Sequence, residues 1–159
     1  MRQPTAQASS LPYVIVALAI AGIADASYDS IAIYSGQALW CPPPIDGCNI
    51  VANSPYARIF GVPLGYLGVL YYVGMAAIAA LVISAPSSQA LRSVALAYAT
   101  GGVLASMVFF YIQFTYIHAF CIYCVISALL TVLLVLASFL HYRRSRFESA
   151  PAHRSLIPS

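Results

Sequence analysis

The sequence predicts an all-α fold: a polytopic membrane protein, built as a four-transmembrane-helix bundle with an extracytoplasmic loop between helices 1 and 2. Three observations predict it. Of the 159 residues, 62% are hydrophobic and only 7% are charged, where a soluble domain carries about 25% charged residues. Four apolar stretches each approach the ~20 residues that cross a bilayer as a helix. Strand-like alternation is absent, and lipid cannot satisfy backbone polar groups, so runs of this kind must be helical. The mean hydropathy of +0.86 argues against a water-soluble chain, which would expose large apolar patches and aggregate. The net charge of +3 is small and scattered, which excludes a nucleic-acid-binding role.

The first stretch runs from Leu11 to Tyr34, the second from Val62 to Ile83, the third from Leu91 to Phe114 and the fourth from Ala119 to Leu140. Residues 1–10 are then a cytoplasmic N-terminal segment, 11–142 a four-helix transmembrane domain, and 143–159 a basic cytoplasmic tail without fixed structure. Pro86, Ser87 and Ser88 form a turn between the second and third spans. The longest connection, Ser35 to Gly61, carries Pro42, Pro43, Pro44, Gly47, Pro55 and Gly61. Small residues such as Gly68, Gly74, Gly101 and Gly102 allow close helix approach.

Orientation follows from arginine, the only basic residue besides histidine. Four spans put both termini on one side, together with Arg2, Arg92, Arg143, Arg144, Arg146 and Arg154; the other side holds only Arg58. This bias places the termini of this integral membrane protein in the cytoplasm and the long loop outside. A rival reading treats the first stretch as a signal peptide cut near Ala24-Asp25-Ala26. The apolar continuation to Tyr34 favours a span. Either way the cysteines face outward.

Asp25 and Asp29 lie four residues apart, on one helical face. Acids in a span usually face the bundle or water. The simpler expectation is that both approach the outer interface. The alternative is a polar contact near a reactive site. His118 is read in the same way, as an interfacial side chain rather than a hydrogen-bond donor to the site.

Four cysteines form two pairs on the exported face, an oxidising side in a bacterium where disulfides persist. Cys41 and Cys48 enclose a proline-rich loop, Cys41-Pro-Pro-Pro-Ile-Asp-Gly-Cys48. Cys121 and Cys124 open the fourth helix, where free amides and the helix dipole stabilise a thiolate and raise its reactivity. Three readings follow: a two-pair electron relay, two structural disulfides, or a four-cysteine zinc site. The relay is favoured. A bridge within Cys121-Ile-Tyr-Cys124 closes too short a loop to stabilise much. The spacing of the loop pair is loose for zinc.

The order of these elements resembles the vitamin K epoxide reductase family, in its prokaryotic form. The matching stretches are the Cys41–Cys48 loop, then Asn53-Ser-Pro-Tyr-Ala-Arg-Ile-Phe-Gly-Val-Pro-Leu-Gly65, then Ala119-Phe-Cys-Ile-Tyr-Cys124. Together they cover about residues 11 to 142. The resemblance implies a thiol:quinone oxidoreductase that supports disulfide formation, with a quinone of the ubiquinone, menaquinone or phylloquinone class as acceptor. It implies that Cys41 exchanges with a thioredoxin-like partner, that Cys48 carries electrons to Cys121, and that Cys124 faces the quinone. Ser54 matches the family serine that holds the loop or polarises the site; read as a local residue, it is a helix N-cap. Gly61, Pro63 and Gly65 shape the start of the second helix.

Many bacterial relatives carry a fused thioredoxin-like domain. Here the chain ends at Ser159, so the expected partner is a separate periplasmic or extracytoplasmic protein. Vertebrate members place a tyrosine four residues after the last cysteine, where this chain has Ala128, and an asparagine near the second span has no evident match. Both departures favour plain quinone reduction over epoxide reduction. A lipid-soluble quinone enters from the bilayer, and Tyr123, Phe114 and Tyr66, with Tyr71, Tyr72 and Phe110, are the aromatic candidates to line its pocket. Most of these are individually read as packing. The competing class is a non-catalytic membrane protein with structural disulfides or zinc.

Overall fold

A computed structural model describes residues 10–43 and 47–149. Four long helices form the bundle: α1 (Leu11–Ser35), α3 (Leu64–Ser84), α4 (Gln89–Ile112) and α5 (Ile122–Ser149); the short α2 (Cys48–Ala52) lies in the connection between the first two. Each of the four is long and apolar enough to cross a membrane. All four expected stretches are therefore helical, with boundaries displaced by a few residues. Helix α5 continues past the expected domain limit at 142. The remaining tail, residues 150–159, and residues 1–9 lie outside the described residues.

Burial is arranged as lipid solvation requires. The centre is built from small side chains, with Ala19, Ala26, Ala79, Ala95 and Ala99 all buried around Ile15, Tyr72, Met75 and Leu134. Large apolar side chains such as Leu70, Leu104, Leu129 and Leu136 point outward. Lipid is as apolar as leucine, so association rests on close packing rather than on burying leucine. Tyr72 shows this best. Its ring lies flat against Gly22 of α1, where any Cβ would overlap it, and its hydroxyl donates to the Ser127 carbonyl of α5 at 3.0 Å. One side chain thus ties three helices together. Gly68, Gly74 and Gly102 also sit at helix contacts, whereas Gly101 faces open space.

The connection after α1 is more ordered than its prolines suggest. After α2, a 3-10 turn at Pro55–Ala57 begins with proline at a position that needs no N–H. Strands β1 (Arg58–Ile59) and β2 (Val62–Pro63) then pair antiparallel. Phe60 and Gly61 make the two-residue turn between them, both with positive φ (50° and 83°), as short hairpins require. Val62, expected as the first residue of a span, belongs instead to this hairpin. At the same end of the bundle α4 passes into a π-helical turn, Gln113–Ile117, which stops at His118 in the left-handed region.

Candidate functional site

The four cysteines meet at this end of the bundle. Cys41 and Cys48 form a disulfide with their Cα atoms 6.2 Å apart. Cys121 and Cys124 are free thiols. Cys48 is fully buried and Cys121 nearly so; they share a small core with Ala32 and Leu39, around which Cys41, Tyr123 and Cys124 pack.

Gly47 lets the two pairs approach. A Cβ there would lie 2.7 Å from the Phe120 carbonyl oxygen and 2.8 Å from its nitrogen. Backbone cannot move aside as a side chain can, so the residue before Cys48 must be glycine for the loop to lie on the residue before Cys121. Two further ties hold the loop. The Asn49 side chain accepts from the Leu39 N–H at 2.8 Å and donates to the Leu39 carbonyl at 3.1 Å. The Tyr123 hydroxyl donates to the Trp40 carbonyl at 2.7 Å. The second tie anchors the loop next to Cys41 onto α5 next to Cys124.

Cys121 stands one residue ahead of α5. Its sulfur accepts from the Cys124 thiol and from the N–H groups of Tyr123 and Cys124, the place an N-cap oxygen takes in an ordinary helix. The Cys124 hydrogen bond foremost, helped by those amides, holds the Cys121 thiol below its usual range, against the opposing effect of burial. A thiol lowered in this way is more often the reactive thiolate at neutral pH.

Gln113, in the π turn, completes the arrangement. It is 2% exposed. Its Oε1 accepts from the Cys121 N–H at 3.0 Å, and its side chain also hydrogen-bonds the Cys124 thiol. Gln113→Leu is therefore expected to leave the buried Cys121 N–H unpaired, at a cost of about 1–3 kcal/mol, and to slow alkylation of reduced Cys124, whose thiol it hydrogen-bonds. Thermal unfolding in detergent and a timed alkylation measure the two effects; a variant that matches the native chain in both would remove Gln113 from the site. Sequence reasoning missed this residue. The available signal was an amide in the last turn of an otherwise apolar span.

Beneath the cysteines lies a cavity of about 510 Å³, bounded by all four long helices and well within the size range of small-molecule sites. Cys48, Cys121, Tyr123 and Cys124 line it, with Gln113, Phe110, Tyr71 and Tyr72. Tyr66 and Phe114 do not line it; both are substantially exposed, and Phe114 packs near Phe120. Ser54 begins the 3-10 turn, but its hydroxyl donates back to the Val51 carbonyl at 2.7 Å rather than capping the turn. It holds the end of α2 and lies off the cavity wall. His118 is exposed, as an interfacial residue should be. Asp25 and Asp29 both line the cavity, because the face of α1 that carries them turns toward α3 and α5.

A buried dithiol between a loop disulfide and an apolar cavity, inside a four-helix membrane bundle, is the arrangement the sequence motifs pointed to. The profile of the vitamin K epoxide reductase family matches residues 13–139. The chain belongs to this family. As a member of the vitamin K epoxide reductase family it is an integral membrane oxidoreductase of the thiol-disulfide and quinone type, and the match spans all four helices and both cysteine pairs.

Proposed function

We propose that this protein passes electrons from a thioredoxin-like partner through Cys41/Cys48 to Cys121/Cys124 and then to a quinone, in support of disulfide formation. The observation that carries this is the place of the free Cys121–Cys124 pair, with buried Cys48 on one side and the cavity on the other. Thiol-disulfide exchange needs a thiolate to reach a disulfide sulfur, and this packing supplies neighbours on both sides.

The cycle balances as follows. A partner thiolate attacks Cys41, displacing Cys48 as thiolate; the partner's second thiol releases Cys41 and leaves the partner oxidised. Cys48 then attacks Cys121 of an oxidised Cys121–Cys124 pair, displacing Cys124. Cys41 closes on Cys48 and frees Cys121. The reduced helix pair gives two electrons to the quinone, re-forms its own bond, and two protons accompany the electrons to give the quinol. An oxidised loop pair with a reduced helix pair is the form of the cycle that meets the quinone.

The cavity is our proposed quinone site, with Cys124 and Tyr123 on its wall. The acceptor is of the ubiquinone, menaquinone or phylloquinone class. We place the cysteine end outside the cytoplasm and both termini within it, on the arginine distribution. The spacing of the loop pair, with six residues between its cysteines, is loose for a zinc site. Two structural disulfides would not require a free dithiol beside a cavity. The test is anaerobic quinone reduction by purified protein in detergent, supplied with a dithiol. Quinol formation over many turnovers is expected; none with all three quinone classes, in protein shown to be folded, overturns the proposal.

A further inference from the structure

Two of the four acidic residues in the chain, Asp25 and Asp29, lie within the first membrane span, where an acid is expensive and marks a functional path when it faces the bundle interior. Both carboxylates face the cavity that Cys124 faces. Asp29 interacts electrostatically with Cys121 and Cys124; Asp25, one turn farther from the cysteine end, interacts with Tyr72 and Tyr123. Packing reserves room for the first of them. At Gly65 of α3, a Cβ would overlap the Ser30 hydroxyl and lie 2.9 Å from Asp29 Oδ2, so glycine there leaves space for both side chains at the α1–α3 contact.

Quinone reduction sets a demand that such a pair meets. Each turnover releases two protons from the dithiol and consumes two at the quinone oxygens, inside a mainly apolar cavity. Among the described residues no arginine, lysine or histidine lines that cavity. The titratable groups that line the cavity with the acids are Tyr71 and Tyr72 from α3, Tyr98 from α4, Cys121 just ahead of α5, and Tyr123 and Cys124 from α5, with Tyr28 beside Tyr123 on α1 itself. The cysteines are the proton source. Tyrosine, ordinarily titrating near pH ~10, is a poor carrier at neutral pH.

We propose that Asp25 and Asp29 are the proton relay of the quinone site. Asp29 accepts a proton as each thiol ionises, passes it along the helix face to Asp25, and Asp25 donates it to a quinone oxygen. Two passes move two protons, the two electrons travel from sulfur to the ring, and both carboxylates return to their starting states. No further oxidant, reductant or acid is consumed. The relay rests on the quinone-reductase reading of the same cavity and makes Asp25 its catalytic acid.

The experiment compares native protein with Asp25→Asn, Asp29→Asn, the double variant and Asp25→Glu, in the anaerobic dithiol-to-quinone assay across pH. Asparagine keeps the shape and removes the proton. Reduction of the Cys41–Cys48 disulfide by the dithiol is followed in the same samples, to show that the cysteine end is intact. The expected result is a fall in kcat of about a hundredfold or more in the asparagine variants. The KM for quinone stays nearly unchanged, the alkaline limb of the native kcat profile is lost, and Asp25→Glu recovers part of the activity. Turnover in all variants with native kcat and native pH dependence overturns the relay alone. A raised KM at constant kcat also overturns it, and makes the acids quinone-positioning groups. Absence of quinone reduction by the native chain overturns the quinone reading and the relay with it.

Discussion

Cys124→Ser is expected to stop quinone reduction, bringing it down to the uncatalysed rate of dithiol and quinone, while the Cys41–Cys48 pair still exchanges with dithiol. The helix pair must hold two electrons and return to a disulfide after giving them up. A serine hydroxyl can do neither, so Cys121 is left without a partner that can close on it. The change in volume is small, and the fold should survive, because Cys124 contributes to the packing of this end without being fully buried. The hydrogen bond that does most to hold the Cys121 thiol below its usual range comes from Cys124, and a serine hydroxyl can still donate it, so the loss is one of redox chemistry and not of electrostatics. Alkylation of Cys121 in the variant should therefore keep its midpoint close to that of the native reduced chain, which shows the site intact while turnover is gone. A purely structural pair would give the opposite pattern, a lowered unfolding temperature with quinone turnover retained.

Cys48→Ser is expected to accumulate a mixed disulfide between Cys41 and a thioredoxin-like protein under mild oxidation, and to abolish electron flow from that protein to quinone. The reason is access. Cys48 is fully buried and Cys121 is 2% exposed, so a protein-sized partner reaches neither; Cys41, at the loop edge, is only partly buried. With Cys48 absent, nothing inside the protein resolves the bond formed at Cys41. A small dithiol is a useful contrast. It can reach Cys121 more readily than a protein can, so residual quinone reduction with a small dithiol but none with the protein partner would locate the defect at the loop-to-helix transfer. Gel shifts under non-reducing conditions, before and after reductant, read the adduct directly. Failure to trap any adduct while turnover is lost would assign the partner's attack to a cysteine other than Cys41.

Much of this protein is legible without its structure because lipid imposes strong rules. Length and composition alone make the four apolar stretches helices, since a backbone in hydrocarbon has no other way to pair its polar groups. The arginine bias suggests an orientation before any cysteine is considered. The cysteine pairs are legible as chemistry through their spacing, and the order of motifs carries the family resemblance that the profile match bears out. Helix boundaries were harder to read. The fourth helix begins after Cys121, not at Ala119, because the π turn ends in a left-handed residue and the chain must redirect before it can re-enter the bundle. The hairpin at Arg58–Pro63 was also hidden, as two-residue strands leave almost no periodic signal.

What the sequence by itself determined is the class of the protein: a four-span membrane bundle with two redox-type cysteine pairs. The tertiary structure decided which side chains share space. Gln113 joins the site because the π turn aims it back at Cys121. Asp25 and Asp29 line the cavity because α1 presents that face to α3 and α5. Phe114 and Tyr66 fall outside the cavity although they neighbour it in sequence. Solvent preference follows from composition, which is a sum over residues. Helix rotation follows from the packing of Tyr72 on Gly22 and the contact of Gly65 with Ser30 and Asp29, pairs far apart in the chain with no local signature.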